Sequence, residues 1–483
     1  MTMQKSFIYT LRAVRPLPLR DHLTHIISSE DGFALPSILM LVTILSLFSA
    51  TILSFQYFDR LIAIREASKV KAEYASESGI ATALGESGTH QDLQQLLMKS
   101  QRFQFVDNSE ASVTLQPWGI FFLIRSEGKC GKSRASRTAL VAEHLSSMYD
   151  NALCFANSSH QLVFTGQSSV KGNVIVGQPG VTIGNLHDYS TPIHIPIEGM
   201  IERQSNPEMP MFETTYLYGE IRKCNTLLEQ AARADGKISS TVGSLKSNTN
   251  SLSGMSKDST STVLLNGNLI IEDTIARQEL PLSIAATGSI TLKRNTILNG
   301  LILVTSTNQI VIEEGAVLDH VICYSERSIE VQDGSTLSAQ LIAPVIRVGK
   351  ECMLKYPSVL LSTDINSPDT SHQDISISSG SRIEGTVALL SSSSKPDQKH
   401  NRPIIDLEAG ALVTGAIYSQ GTVTLDGIVT GMVLAKDFYF YAAPTSYLGW
   451  LRSARIDRSG LPKSYLLPPG FSASPKLDLL DWL

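Results

Sequence analysis

The sequence predicts an α+β chain that is mainly β: a long N-terminal transmembrane helix, a small antiparallel sheet, then a right-handed-type β-solenoid. Three observations predict it. A charge-free run extends from Phe33 to Phe58, short strand-like segments fill 111–143, and paired apolar residues recur at a regular period from Leu269 onward. The implied division is a polar leader at 1–32, a helix at 33–88, a β-meander at 89–150, and a solenoid start with a helical insertion and a Ser/Asn-rich linker at 151–262. The main solenoid follows at 263–440, and a cap and tail at 441–483.

The 483 residues are 42% hydrophobic and only 18% charged, enough to bury several cores. A net charge of −5 makes no whole-chain case for nucleic acid, which would want a basic face. The five cysteines, Cys130, Cys154, Cys224, Cys323 and Cys352, show no C-x-x-C spacing, too sparse for a disulfide framework or a zinc site. One bridge, Cys130 to Cys154, and buried free thiols are both open readings.

The leader carries Lys5, Arg12, Arg15 and Arg20 but no apolar h-region, so it is not an ordinary secretory signal. The 26 residues from Phe33 to Phe58 span roughly 39 Å as a helix, long enough to cross a bilayer. Upstream basic residues place the N-terminus in the cytoplasm and the remainder across the membrane. Pro36 falls in the first helical turn, where a missing N–H costs nothing. From Asp59 to Leu84 the helix turns amphipathic, with Leu61, Ile64, Ala67, Ala72, Ala75, Gly79 and Ala83 forming a small-residue stripe suited to close packing. Gly85 and Gly88 are its expected stop.

Gly32-Phe33-Ala34-Leu35-Pro36 at the border of leader and helix, with Ala75-Ser76-Glu77-Ser78-Gly79-Ile80 further on, resembles type IV pilin-like proteins. In particular, both segments resemble those of minor pilins of the PilX type and related pseudopilins. The resemblance covers residues 25–85 and, more loosely, the sheet after them. It implies cleavage by a prepilin peptidase after Gly32, with Phe33 as an N-methylated mature terminus. It also implies a single-pass protein of the bacterial inner membrane, bulk periplasmic or within a filament, whose partners are the lipid bilayer, the peptidase and other pilin-like subunits. Two positions depart from the family pattern. Mature position five is usually Glu, whose carboxylate meets a neighbouring subunit's terminal amine, and here it is Ser37. A hydroxyl cannot supply that charge pairing, which favours a minor, tip-like or assembly-independent role. Glu30-Asp31 precede Gly32 where many leaders carry Lys or Arg.

Strands are expected at Ala111–Gln116, Gly119–Arg125 and Ala135–Glu143, with breaks near Pro117 and Gly128–Gly131. A sheet laid on the helix would cover its stripe. Repetition starts weakly at Leu162–Phe164 and Val174–Val176. It is interrupted by a helix from Thr215 to Ala232 and a linker at 235–262. The clear repeat pairs Leu269/Ile271, Ile290/Leu292, Ile310/Ile312, Ile329/Val331, Ile346/Val348, Ile375/Ile377, Ile405/Leu407 and Val423/Leu425. Most spacings are 17 to 21 residues, and the longer ones hold polar insertions at 363–373 and 391–402. Glycines recur five and ten residues after the first member of many pairs, and apolar residues twelve after. A β-sandwich would not keep these columns in phase; stacked coils would. The period resembles that of bactofilin-like, polymer-forming solenoids and carries over no residue's role. The aromatic runs at 438–441 and 447–451 are expected to cover the open end.

An enzyme on such a scaffold would gather carboxylates on one face. Glu313-Glu314, Asp319-His320, Glu326-Arg327 and Asp406/Glu408 sit at differing offsets, so they are not expected to form one row. No H-x-x-x-H, H-E-x-x-H, nucleophile elbow or phosphate cradle is present. The reading is therefore non-enzymatic, with no catalytic residue, cofactor or metal. Its processing residues are Gly32 and Phe33, and its assembly residues Pro36 and Ser37. The alternatives are a polysaccharide- or adhesin-type binding module, drawn from the aromatic cluster, and a carbohydrate-active solenoid enzyme.

Overall fold

The computed structural model describes residues 34–86, 97, 99–145, 147–187, 189–234, 239–240, 261–272, 274–364, 372–391, 403–471 and 476–483. The leader, Gly32, Phe33 and the Gly88 stop lie outside them, as does nearly all of the expected linker and the two polar insertions. The chain forms two units, Met1–Val70 and Lys71–Leu483. One helix, α1 (Ala34–Glu86), supplies the described part of the first unit and enters the second.

In the second unit, α1 buries Ala72, Ala75, Ser76, Gly79, Ile80 and Ala83. These recur at three- and four-residue steps, so they share one helix face. The face sits on an antiparallel sheet of β1 (Gln101–Gln104), β2 (Glu110–Trp118), β3 (Phe121–Cys130) and β4 (Ser133–Glu143), extended at the β4 edge by the C-terminal strand Leu477–Trp482. Ile80 and Ala83 share a core with Val113, Phe122, Ile124, Ala139, Val141 and Leu477. The expected breaks near Pro117 and Gly128–Gly131 are turns at Gly119-Ile120 and Gly131-Lys132, while Pro117 and Gly128 themselves lie inside strands. Gly128 is strand backbone where the helix comes closest: a Cβ there would lie 2.0 Å from the Ala72 carbonyl oxygen.

The large sheet is parallel and nearly closed, a solenoid-like stack whose central coils each contribute a three- or four-residue strand and a longer one, as in Gln309–Ile312 with Val317–Ser325. The predicted pairs are one face of this stack. Ile290 registers on Ile310, Ile310 on Ile329, Ile329 on Ile346, Ile346 on Ile375, Ile375 on Ile405, and Ile405 on Val423. All sixteen residues of the eight pairs are 3% exposed or less, and each fully buried Ile, Leu or Val contributes about 1.5–3 kcal/mol. Corner hydroxyls bind neighbouring coils together. Ser306 donates to the Gly288 carbonyl, Ser325 to that of Asn308 and Ser362 to that of Pro344, each at 2.7 Å.

Coil order differs from chain order. Leu153–Phe155 pairs with Val433–Ala435, Ser169–Lys171 with Arg455–Asp457, and Leu162–Thr165 with Trp450–Arg452. Val174–Gly177 and then Ile201–Gln204 continue outward. The segment expected to begin the solenoid thus lies beyond its last coil. The aromatic run expected to cap an open end is inside the stack, because the early coils already satisfy that edge.

A second helix, α2 (Thr215–Ala232), occupies the span expected from sequence and buries Leu217, Ile221, Cys224, Leu228 and Ala231 at helical spacing. With Trp118, Ile120, Phe121, Leu123 and Leu140 of the small sheet, it packs on the stack residues Ala285, Leu301, Ile322, Ile342 and Val359. Gln340 pins that contact: its Oε1 accepts from the Ile120 N–H at 2.8 Å and its Nε2 donates to the Trp118 carbonyl at 3.2 Å. Gln340→Leu would leave both buried main-chain groups without these partners. The expected cost is about 2–4 kcal/mol by chemical denaturation, against little change for a surface Gln substitution.

Candidate membrane anchor and helix seat

The first 25 residues of α1 contain no charged side chain, and their mean hydropathy reaches 2.3 over an 18-residue window. By length and composition this helix can cross a membrane. Its hydroxyls are answered within the helix: Thr43 Oγ1 donates to the Met40 carbonyl at 2.8 Å, Ser49 Oγ to that of Leu45 at 2.9 Å, and Thr51 Oγ1 to that of Leu47 at 2.7 Å. Satisfied hydroxyls make such a run compatible with hydrocarbon, where a bare polar group costs several kcal/mol by order of magnitude.

Pro36 and Ser37 both lie in the first turn of α1, as the sequence placed them. Proline there interrupts no i→i−4 bond. Of the predicted stripe, Ala72, Ala75, Gly79 and Ala83 are covered, whereas Ile64 is 52% exposed. Ser76 and Ile80 join the covered face and were not in the predicted stripe. The seat is close: a Cβ on Gly79 would lie 2.6 Å from the Ala111 Cβ and 2.8 Å from the Ser126 Oγ. Glu77 and Arg137 form an ion pair at 3.3 Å, and Lys129 meets Glu110 at 2.5 Å. Both pairs are exposed and worth little by themselves.

The residues weighed for chemistry are scattered. Glu313 is paired with Lys293 and Glu314 with Arg294, each at 2.6 Å across adjacent coils. Asp319 and Asp481 flank His320 at 3.0 and 3.1 Å. Burial raises the Glu326 carboxyl above its usual value; it also raises Asp406, with Glu408 and Asp374 adding repulsion. Among the described residues, no three His, Cys, Asp or Glu side chains could hold a metal ion. All five cysteines are free, so the open Cys130–Cys154 bridge is not formed. Cys130 ends β3, whereas Cys154 is buried in the coil stack with its thiol pushed up to about 11 by desolvation.

The aromatic cluster joins the early coils to the late ones. Trp450 lies against Gly184, where a Cβ would come within 2.4 Å of the indole. The Arg452 guanidinium stacks 4.3 Å from the Phe440 ring centre, donates to Tyr189 Oη at 3.0 Å, and pairs with Asp426. Tyr447 stacks on Phe440. These rings are engaged with one another and with the seam between coils.

Asp437 is buried in the same seam. It accepts from Asn157 Nδ2 at 2.9 Å and from the Phe438 and Gly449 N–H groups at 2.8 and 3.1 Å, with His160 at 3.4 Å. Desolvation nevertheless raises its carboxyl above the ordinary value, against the opposing pull of His160. A folded state that holds this proton more tightly gains stability fully below the ordinary carboxyl value. That gain is lost as pH rises through the raised one. Asp437→Asn removes the titration. Its unfolding midpoint should therefore fall less than wild type between about pH 4 and pH 7.

No family model matches this sequence, and no curated protein matches it. Among solved structures, the chain is similar to the competence-associated pilin ComZ from Thermus thermophilus at 11% identity, covering 86% of this chain and 97% of that one with a TM-score of 0.20. A superposition that loose carries no argument for the fold.

Proposed function

We propose that this chain is a non-enzymatic, membrane-anchored, pilin-like subunit of the bacterial inner membrane, presenting its coil stack beyond the bilayer as a minor component of a filament or pseudopilus. One observation carries the reading. A single helix begins with a charge-free, membrane-capable run and continues into a small-residue face seated on an antiparallel sheet. A soluble solenoid would have no use for 25 uncharged residues with exposed leucine and isoleucine side chains at its head. The bilayer, a prepilin peptidase and other pilin-like subunits are the partners this reading names. Ser37 in the place of the usual Glu supports a minor role, since it cannot offer a carboxylate to a neighbour's terminal amine.

The test is topological. In cells expressing the full chain, the protein should resist carbonate extraction, and protease added to spheroplasts should reach the coil stack. It should also copurify with pilin-like subunits. A coil stack cleaved only after the inner membrane is lysed would sink the reading.

A further inference from the structure

Four strands of the helix-bearing sheet come from residues 101–143, and the fifth arrives from the far end of the chain. Leu477–Trp482 runs antiparallel along β4, pairing Leu477 with Glu143, Asp478 with Ala142 and Leu479 with Val141, then Asp481 with Leu140 after an irregularity. Its contacts reach three bodies at once. Leu477, 3% exposed, fills the core beneath Ile80 and Ala83 of α1. Asp478 Oδ2 lies 2.9 Å from Nε2 of His144, just past β4, and Asp481 Oδ2 lies 3.1 Å from Nε2 of His320 on the coil stack. The Leu483 N–H donates to the Thr138 carbonyl at 3.1 Å.

The contacts that bring this strand in also depend on distant chain. Glu143 and Leu467 exchange main-chain bonds at 2.8 and 2.9 Å, and Tyr149 Oη donates to the Phe471 carbonyl at 2.6 Å. Phe471 in turn packs on Tyr418 of the stack, with ring centres 5.2 Å apart. His320 is in position only when its own coil is stacked. An edge strand whose contacts need distant segments already in place can order only after them.

We propose that the strand Leu477–Trp482 is a strap that locks the seat of α1 only once the coil stack has formed, so that a chain in which this strand is not yet docked cannot present an ordered helix face to a second subunit. The final clause rests on the pilin-like reading; the strap itself does not. A chain entering the periplasm anchor first would then keep its assembly face loose until residues 476–483 had crossed.

Hydrogen exchange on the full chain in detergent micelles tests this. Deleting 476–483 should speed exchange at Ala72–Ala83 and along β4 roughly tenfold, while the stack strands Ser328–Val331, Val345–Val348 and Ile404–Leu407 keep their protection. Asp478→Asn with Asp481→Asn should give a smaller acceleration at the same amides. A synthetic peptide of residues 476–483 added to the shortened chain should restore protection. Unchanged exchange at the seat would overturn the strap. So would parallel loss of protection in the stack, which would make the strand an ordinary part of one cooperative fold. Copurification with pilin-like subunits tests the separate reading: lost seat protection with no partner subunit for either chain would keep the strap and remove the pilin-like role.

Discussion

Gly128→Val should unseat the helix. A Cβ at position 128 would stand 2.0 Å from the Ala72 carbonyl oxygen and 2.6 Å from the Ser76 amide nitrogen, both backbone atoms of a helix that cannot rotate them away. Either α1 lifts from the sheet or β3 buckles, and overpacking of this kind costs about 3 kcal/mol or more. Seat loss also uncovers Ile80, Phe122 and Val141, now 2% exposed or less. The expected result is a lowered denaturation midpoint and fast amide exchange over Ala72–Ala83, with the coil stack intact. Gly219→Ala is the matched control. It lies inside α2, a Cβ there meets nothing within 4 Å, and replacing a helical glycine should stabilise by about 0.5–1 kcal/mol.

Gly415→Val should break the stack itself. Gly385, Gly415 and Gly431 form a column with φ of 148°, 146° and 148°, a backbone region that side chains rarely enter. Each stands where one coil meets the next: a Cβ on Gly415 would lie 1.9 Å from the Gly385 carbonyl oxygen and 2.8 Å from Tyr465 Oη. That carbonyl accepts from Tyr465 Oη at 3.0 Å, so the clash also breaks a buried hydrogen bond tying the C-terminal segment to the stack. Backbone strain and overpacking together should cost about 4 kcal/mol. Limited proteolysis should then cut first within residues 382–435. A variant as resistant as wild type would show that the coils can separate there without penalty.

The main stack was legible because its signal is periodic: inward Ile, Leu and Val repeat with the coil, and each predicted pair is in direct register with the next. Helix α2 was legible for the same reason, at a different period. What the sequence did not reveal is how the ends meet. Leu153–Phe155 and Ser169–Lys171 are three-residue strands whose partners lie some 280 residues away, and no local pattern encodes a distant parallel pairing. The C-terminal strand read as a tail because Leu479-Leu480-Asp481 breaks the alternation of a half-buried strand, where the pairing shifts register. The break expected within Gly128–Gly131 falls at Gly131, and Gly128 could not be told from it because glycine in a strand and glycine in a turn look alike without the helix that needs the space. Of the proposed site, the place of Pro36 in the first helical turn and the Ala72, Ala75, Gly79 and Ala83 part of the covered stripe were legible from spacing, whereas Ser37 was singled out only by the family resemblance. The seam around Asp437 and Arg452 was not, since its members come from three distant segments.

If this helix is a processed pilin-like anchor, the mature N-terminus carries the mark of it. Mass spectrometry of the full protein from cells with an active prepilin peptidase should find a chain that begins at an N-methylated Phe33 and lacks residues 1–32. A chain that still begins at Met1 in those cells would contradict it.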